Sequence, residues 1–192
     1  MVYLDDKIEK IDMDVALATV SVQRREHVLR FRQEHDRWLS LAAYRLLQRA
    51  LRVEYGITVA PEFEFDKRGK PSLIGHQKIF FNMSHCHEAA ACVVGSAPVG
   101  IDVESLDHYD EELMKMVMNA EEQQQISASP DPRIAFIRLW TMKESLLKMT
   151  GEGLSSDLRN VLKNSPDIKN DACYFHTTVY PQFVCTVCYS KN

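Results

Sequence analysis

The chain has 192 residues, 45% hydrophobic and 26% charged, with a formal net charge of -4 at pH 7. Those proportions fit a soluble globular protein with one sizeable core or two small fused ones. The acidic balance argues against a strong general attraction to nucleic acid or anionic membrane, while "QRREHVLRFRQEHDRW" and "DKRGK" form local basic clusters that suit a small polyanion better than a long polymer.

The opening "MVYLDDKIEKIDMD" is acidic and lacks the apolar centre of a secretory signal. "DVALATVSV" is expected to be a first strand. A helix is expected from about Arg24 to Tyr55, with Trp38, Ala42, Leu46, Ala50 and Val53 at three-to-four spacing and Gly56 as its stop. "EFEFD" alternates like a strand, "KRGKP" is turn chemistry, and "KIFFN" and "AAACVV" read as two further strands. No apolar run reaches a membrane span; the best is interrupted by Gly95, Pro98 and Gly100.

The second half repeats that order. "VGIDVE" reads as a strand, "DEELMKMVMNAEEQQQI" as a helix and "SASPDP" as a break. Asp131 as N-cap and Pro132 at the first position then open a helix to about Met149, with Gly151 behind it. "CYFHTTVY" and "QFVCTVCY" close the chain as strands. Strand, helix and strands on both sides of residue 98 predict an α+β fold of two similar lobes, 1–97 and 98–192. Cys86, Cys92, Cys173, Cys185 and Cys188 are odd in number and irregularly spaced, which suits reduced thiols in the cytoplasm. Cys185 and Cys188, three apart on a strand, should face opposite sides of the sheet and form neither a disulfide nor a metal site.

Two stretches carry chemistry. On a strand, Asp102 and Glu104 project to one face, roughly 6.5–7 Å apart. On the helix, Trp140, Glu144 and Lys148 share one stripe. If that helix packs on that strand, three carboxylates converge, a set of hard oxygen ligands suited to Mg²⁺ and a phosphate-bearing substrate. Taken singly, Glu144 with Lys148 is also an ordinary surface pair, and Asp102 with Glu104 the solvated face of an edge strand.

A third stretch makes the pattern specific. With "GKP" (69–71), "FNMSH" (81–85), "GIDVE" (100–104) and "LWTMKESLLKMTGEGL" (139–154), the sequence resembles the 4′-phosphopantetheinyl transferases of the surfactin-synthetase-activating type, from about residue 24 to 155. The resemblance implies two lobes related by a pseudo-twofold axis, with the ligand between them. It implies transfer of the 4′-phosphopantetheine arm of coenzyme A to a serine of an apo acyl, peptidyl or aryl carrier protein, releasing adenosine 3′,5′-bisphosphate. Asp102, Glu104 and Glu144 would ligate Mg²⁺, Lys148 would neutralise developing charge, and Glu144, directly or through a metal-bound water, would take the serine proton. Lys70, Ser84 and His85 would contact the nucleotide and phosphates, with Arg24 and Arg37 as further phosphate contacts. His27 stands where the family usually has lysine or arginine, and His87 is unusual after "SHC".

An acidic carrier should meet apolar and basic groups, for which "ELMKMVMN" offers Met114, Met116, Met118 and Lys115; the same run also reads as helix core. With both lobes in one chain, a monomer is expected, with neither nucleic acid nor membrane as partner. Two other readings stand beside this one: a Mg²⁺-dependent phosphodiesterase or nuclease, and a non-catalytic coenzyme A-binding module. The first commonly has a lysine two residues after a metal-binding carboxylate, where this chain has Leu106 and Leu146.

Overall fold

The computed structural model describes residues 1–8, 12–153 and 157–191; parts of the N-terminal acidic stretch (9–11) and of the last quoted block (154) lie outside the described residues. Strand β1 (Val2–Asp5) pairs antiparallel with β5 (Ala90–Gly95), which pairs with β4 (Phe80–His85). A second antiparallel sheet has the order β6 (Val99–Ser105), β8 (Phe183–Ser190), β7 (Cys173–Val179). In both three-stranded sheets the last strand in chain order lies at the centre. Strands β2 (Phe63–Phe65) and β3 (Pro71–Leu73) make a separate hairpin. No helix among the described residues is long and apolar enough to cross a membrane.

Each three-stranded sheet is covered by one long helix. Helix α3 (Glu34–Tyr55) buries Trp38, Leu41, Tyr44, Leu47 and Leu51 with Phe81, Cys92 and Val94 of the first sheet. Helix α6 (Pro132–Thr150) lies on β6 and β8. Its ends are as expected: the Asp131 side chain accepts from Ile134 N, Pro132 follows, and Gly151 adopts φ 75°. The two sheets are joined by side chains of β4. Asn82 Oδ1 accepts from Ile101 N at 3.0 Å and Ser84 Oγ from Val103 N at 3.4 Å, so alternate residues of "FNMS" dock on the backbone of β6.

Gly100 sets how closely α6 approaches that strand. A Cβ there would fall 2.0 Å from Ser145 O and 2.5 Å from Met149 N, both helix backbone that cannot step aside. Gly100→Ala should therefore cost about 3 kcal/mol or more, the upper end for overpacking. Urea unfolding checks this; a loss under about 0.5 kcal/mol would contradict the packing.

Three expected elements differ. "DVALATVSV" is not a strand: α1 (Met13–Ala18) occupies its first part, and α2 (Val22–Leu29) begins at its end. Asp12 and Ser21 cap the two helices by accepting from Val15 N and Arg24 N, and those caps outweigh the β-branched residues between them. The pairing partner of β5 is instead "VYLD", inside the acidic opening. The long first helix is broken between Leu29 and Glu34, where Arg37 Nε donates to Phe31 O at 2.9 Å. The helix after β6 is likewise two, α4 (Glu111–Val117) and α5 (Ala120–Ser127), because Asn119 and Glu122 form a reciprocal capping box. Short helices α7 (Val161–Asn164) and α8 (Pro166–Lys169) were not anticipated. Cys185 packs with Cys86 and Val103 and Cys188 with Leu146 and Met149, on opposite faces as expected, and all five thiols are free.

Candidate functional site

Strand β6 and helix α6 bring the two chemical stretches together. Asp102, only 2% exposed, sits beneath Lys148: its Oδ1 accepts from Lys148 Nζ at 2.6 Å and from Ser84 Oγ at 3.0 Å, and Lys148 also donates to Ser84 Oγ at 3.0 Å. Glu144, one turn before Lys148, is buried as well. Burial, then Asp102, push its carboxyl up to about 7, with Lys148 opposing and Glu104 adding to the rise. Glu104 is raised first by burial and then by Asp102, against hydrogen bonds from His108 and Trp140. One oxygen of each of the two more buried of these three acids, Asp102 Oδ2 and Glu144 Oε1, has no hydrogen-bond partner. Such stranded carboxylate oxygens cost free energy unless a cation or donor meets them.

The geometry tests the metal expectation from two sides. Among the described residues, no three His, Cys, Asp or Glu side chains are closed around one point. The donor set is nonetheless right in kind for a hard divalent cation, since three acidic groups within electrostatic reach leave two buried oxygens free.

A strand away lies a group of basic side chains. Burial lowers the pKa of His85 on β4, and Arg24, Lys148 and His27 lower it further while Asp36 opposes. Arg24 donates through Nη2 to Ser40 O and, at 2.7 Å, to Ser40 Oγ, and its guanidinium lies 5.3 Å from the Tyr44 ring centre. Burial drops its pKa to about 10. Burial, Arg24 and Arg30 lower His27. His85 thus lies in the field of Arg24, Lys148 and His27, and Ser84 joins it through its contact with Lys148. Arg37 stands apart, bracing the turn before α3. Lys70, held in its turn by Asp66 Oδ1 accepting from its N at 2.9 Å, reaches the end of α6 and donates to Met149 O at 2.5 Å.

Three residues acquire roles that sequence reading did not assign. Lys143, 0% exposed, donates to Glu122 Oε2 at 2.6 Å, Leu158 O at 2.8 Å, Val117 O at 3.0 Å and Arg159 O at 3.3 Å. It ties α6 to α5, to the end of α4 and to the segment after residue 157. His108 and Trp140 each donate to one oxygen of Glu104. Of the methionines considered for partner docking, Met114 and Met118 are core, whereas Met116 is 65% exposed. A cleft of about 910 Å³ lies elsewhere, between α3 (Trp38, Arg45, Arg49, Arg52) and Leu4–Ile8, and none of the carboxylates above lines it.

Buried carboxylates beside one lysine, with an arginine and two imidazoles a strand away, make a site suited to phosphate esters. Comparison with known proteins agrees with that chemistry. A profile of the 4′-phosphopantetheinyl transferase superfamily matches residues 98–190. A Bacillus subtilis 4′-phosphopantetheinyl transferase is 32% identical over 160 residues, 82% of this chain and 71% of the relative. The 4′-phosphopantetheinyl transferase psf-1 of Bacillus pumilus is 31% identical over 81% and 68%. The Saccharomyces cerevisiae L-aminoadipate-semialdehyde dehydrogenase-phosphopantetheinyl transferase is 29% identical over 78% and 60%. The chain belongs to the 4′-phosphopantetheinyl transferase superfamily.

Proposed function

We propose that this protein transfers 4′-phosphopantetheine from coenzyme A to a serine of an apo carrier protein, with adenosine 3′,5′-bisphosphate as the second product. The carrying observation is the pair of stranded buried oxygens, Asp102 Oδ2 and Glu144 Oε1, beside Lys148. Asp102, Glu104 and Glu144 would hold Mg²⁺, which when bound would neutralise the pyrophosphate oxygens. Lys148 stands one turn past Glu144 and donates to the phosphate oxygen on which charge grows. The serine oxygen forms a bond to the pantetheine-bearing phosphorus, and the bond from that phosphorus to the bridging oxygen breaks. The leaving bisphosphate takes the electron pair. Glu144, whose carboxyl titrates near neutrality, accepts the serine proton. Arg24, Ser84 and His85 line the phosphate side, and Lys70, at the end of α6, borders the nucleotide.

Residues 1–97 and 98–192 form two lobes in this reading, related by a pseudo-twofold axis. The shared strand order of the two sheets and the long helix on each support it. The protein acts as a monomer in the cytoplasm. A nuclease or a passive binding module finds no support in the relatives above, all named as transferases.

Incubation with a generic apo carrier, coenzyme A and Mg²⁺, read by intact mass, tests the reading. The carrier should gain one phosphopantetheine, and EDTA should stop the gain. An unmodified carrier overturns it.

A further inference from the structure

Glu104 is the least buried of the three acids, and it is the one with the strongest reason to leave. Asp102 repels it, Glu144 shares the same field, and solvent is within reach of its side chain. It stays because both oxygens are tethered. Trp140 Nε1 donates to Oε1 at 3.3 Å and His108 Nδ1 to Oε2 at 2.7 Å. The second tether is built deliberately into the chain where β6 ends. Ser105 Oγ accepts from Asp107 N at 3.1 Å and donates to Glu88 Oε1 at 3.2 Å, and Leu106 N donates to Gln182 O at 2.9 Å. That fixes a tight turn over Leu106–His108 and folds His108 back onto the residue four before it. A neutral imidazole with its proton on Nδ1 can donate this bond without carrying a charge.

We infer that His108 and Trp140 are positioning residues that hold the Glu104 carboxylate toward Asp102 and Glu144, in readiness for a divalent cation. The inference rests on the metal reading above. His108 contributes through Glu104 and touches neither substrate nor ion. Partners of this kind behind a metal ligand typically change metal affinity by 10–100-fold. His108 is exposed and Trp140 half-buried, so the fold does not hang on either tether.

The test uses the whole protein, Mn²⁺ as probe and electron paramagnetic resonance to count free ion, with thermal melting as a fold control. His108→Ala should raise the Mn²⁺ dissociation constant about 10–100-fold with an unchanged melting point. Trp140→Phe, which keeps the ring and loses the N–H, should act in the same direction. His108→Asn, whose side-chain amide lies where Nδ1 was, should restore most of the affinity, a rescue that a merely structural role would not give. Variants that bind Mn²⁺ as tightly as wild type overturn this inference alone. A wild-type protein that binds Mn²⁺ no better than Asp102→Ala overturns the metal reading and this inference with it.

Discussion

Glu144→Gln should lower kcat by on the order of 10³ while leaving the protein folded, because glutamine keeps the shape of the side chain but can neither accept a proton nor supply a full anionic ligand. The stability of the same variant gives an independent check. In wild type without metal, the buried carboxyl has its pKa raised to about 7, by burial first and Asp102 second. A group that binds its proton more tightly when folded weakens the fold as pH rises from the ordinary carboxylate range to about 7, and the penalty is complete above that. Glutamine carries no such penalty. At pH 8 in EDTA the variant should therefore melt at or above the wild-type temperature, and the difference should close toward pH 4. Turnover within tenfold of wild type would remove Glu144 from the chemistry, and a lower melting point at pH 8 would contradict the electrostatics.

The largest loss of stability should come from Lys143→Met. Its ammonium is wholly buried and satisfies one carboxylate and three backbone carbonyls drawn from three segments. Removing one partner of such a pair leaves the other as a buried charge, at a cost of about 3–5 kcal/mol. Glu122 would keep only the Asn119 N–H as a donor to the same oxygen. Urea unfolding measures the cost. A loss below about 1 kcal/mol would show that the pair contributes little. Adding Glu122→Gln to Lys143→Met should recover part of the loss, since the stranded charge goes with it. Because Lys143 precedes Glu144 on α6, surviving folded protein should also show how far anchoring this helix matters for activity.

Local rules sufficed where neighbours in sequence decide the outcome. Asp131, Pro132 and Gly151 bound α6 by capping within one turn, and the period-two pattern of "GIDVE" put Asp102 and Glu104 on one face before any partner was known. The stripe of Trp140, Glu144 and Lys148 followed from helical spacing alone, and the family from four short blocks in order. Local rules failed where two of them competed. "DVALATVSV" has strand-like residues, yet Asp12 and Ser21 supply helix caps, and "VYLD" pairs with a strand some ninety residues away. What only the tertiary structure decided is which polar groups meet across long separations. Lys148 with Asp102, Lys70 with Met149 O, Lys143 with Glu122, and the two tethers on Glu104 are all set by how α6 seats on β6, and that closeness depends on Gly100. Spacing along a chain fixes the face on which a charge emerges; packing between elements selects its partner and sets its pKa.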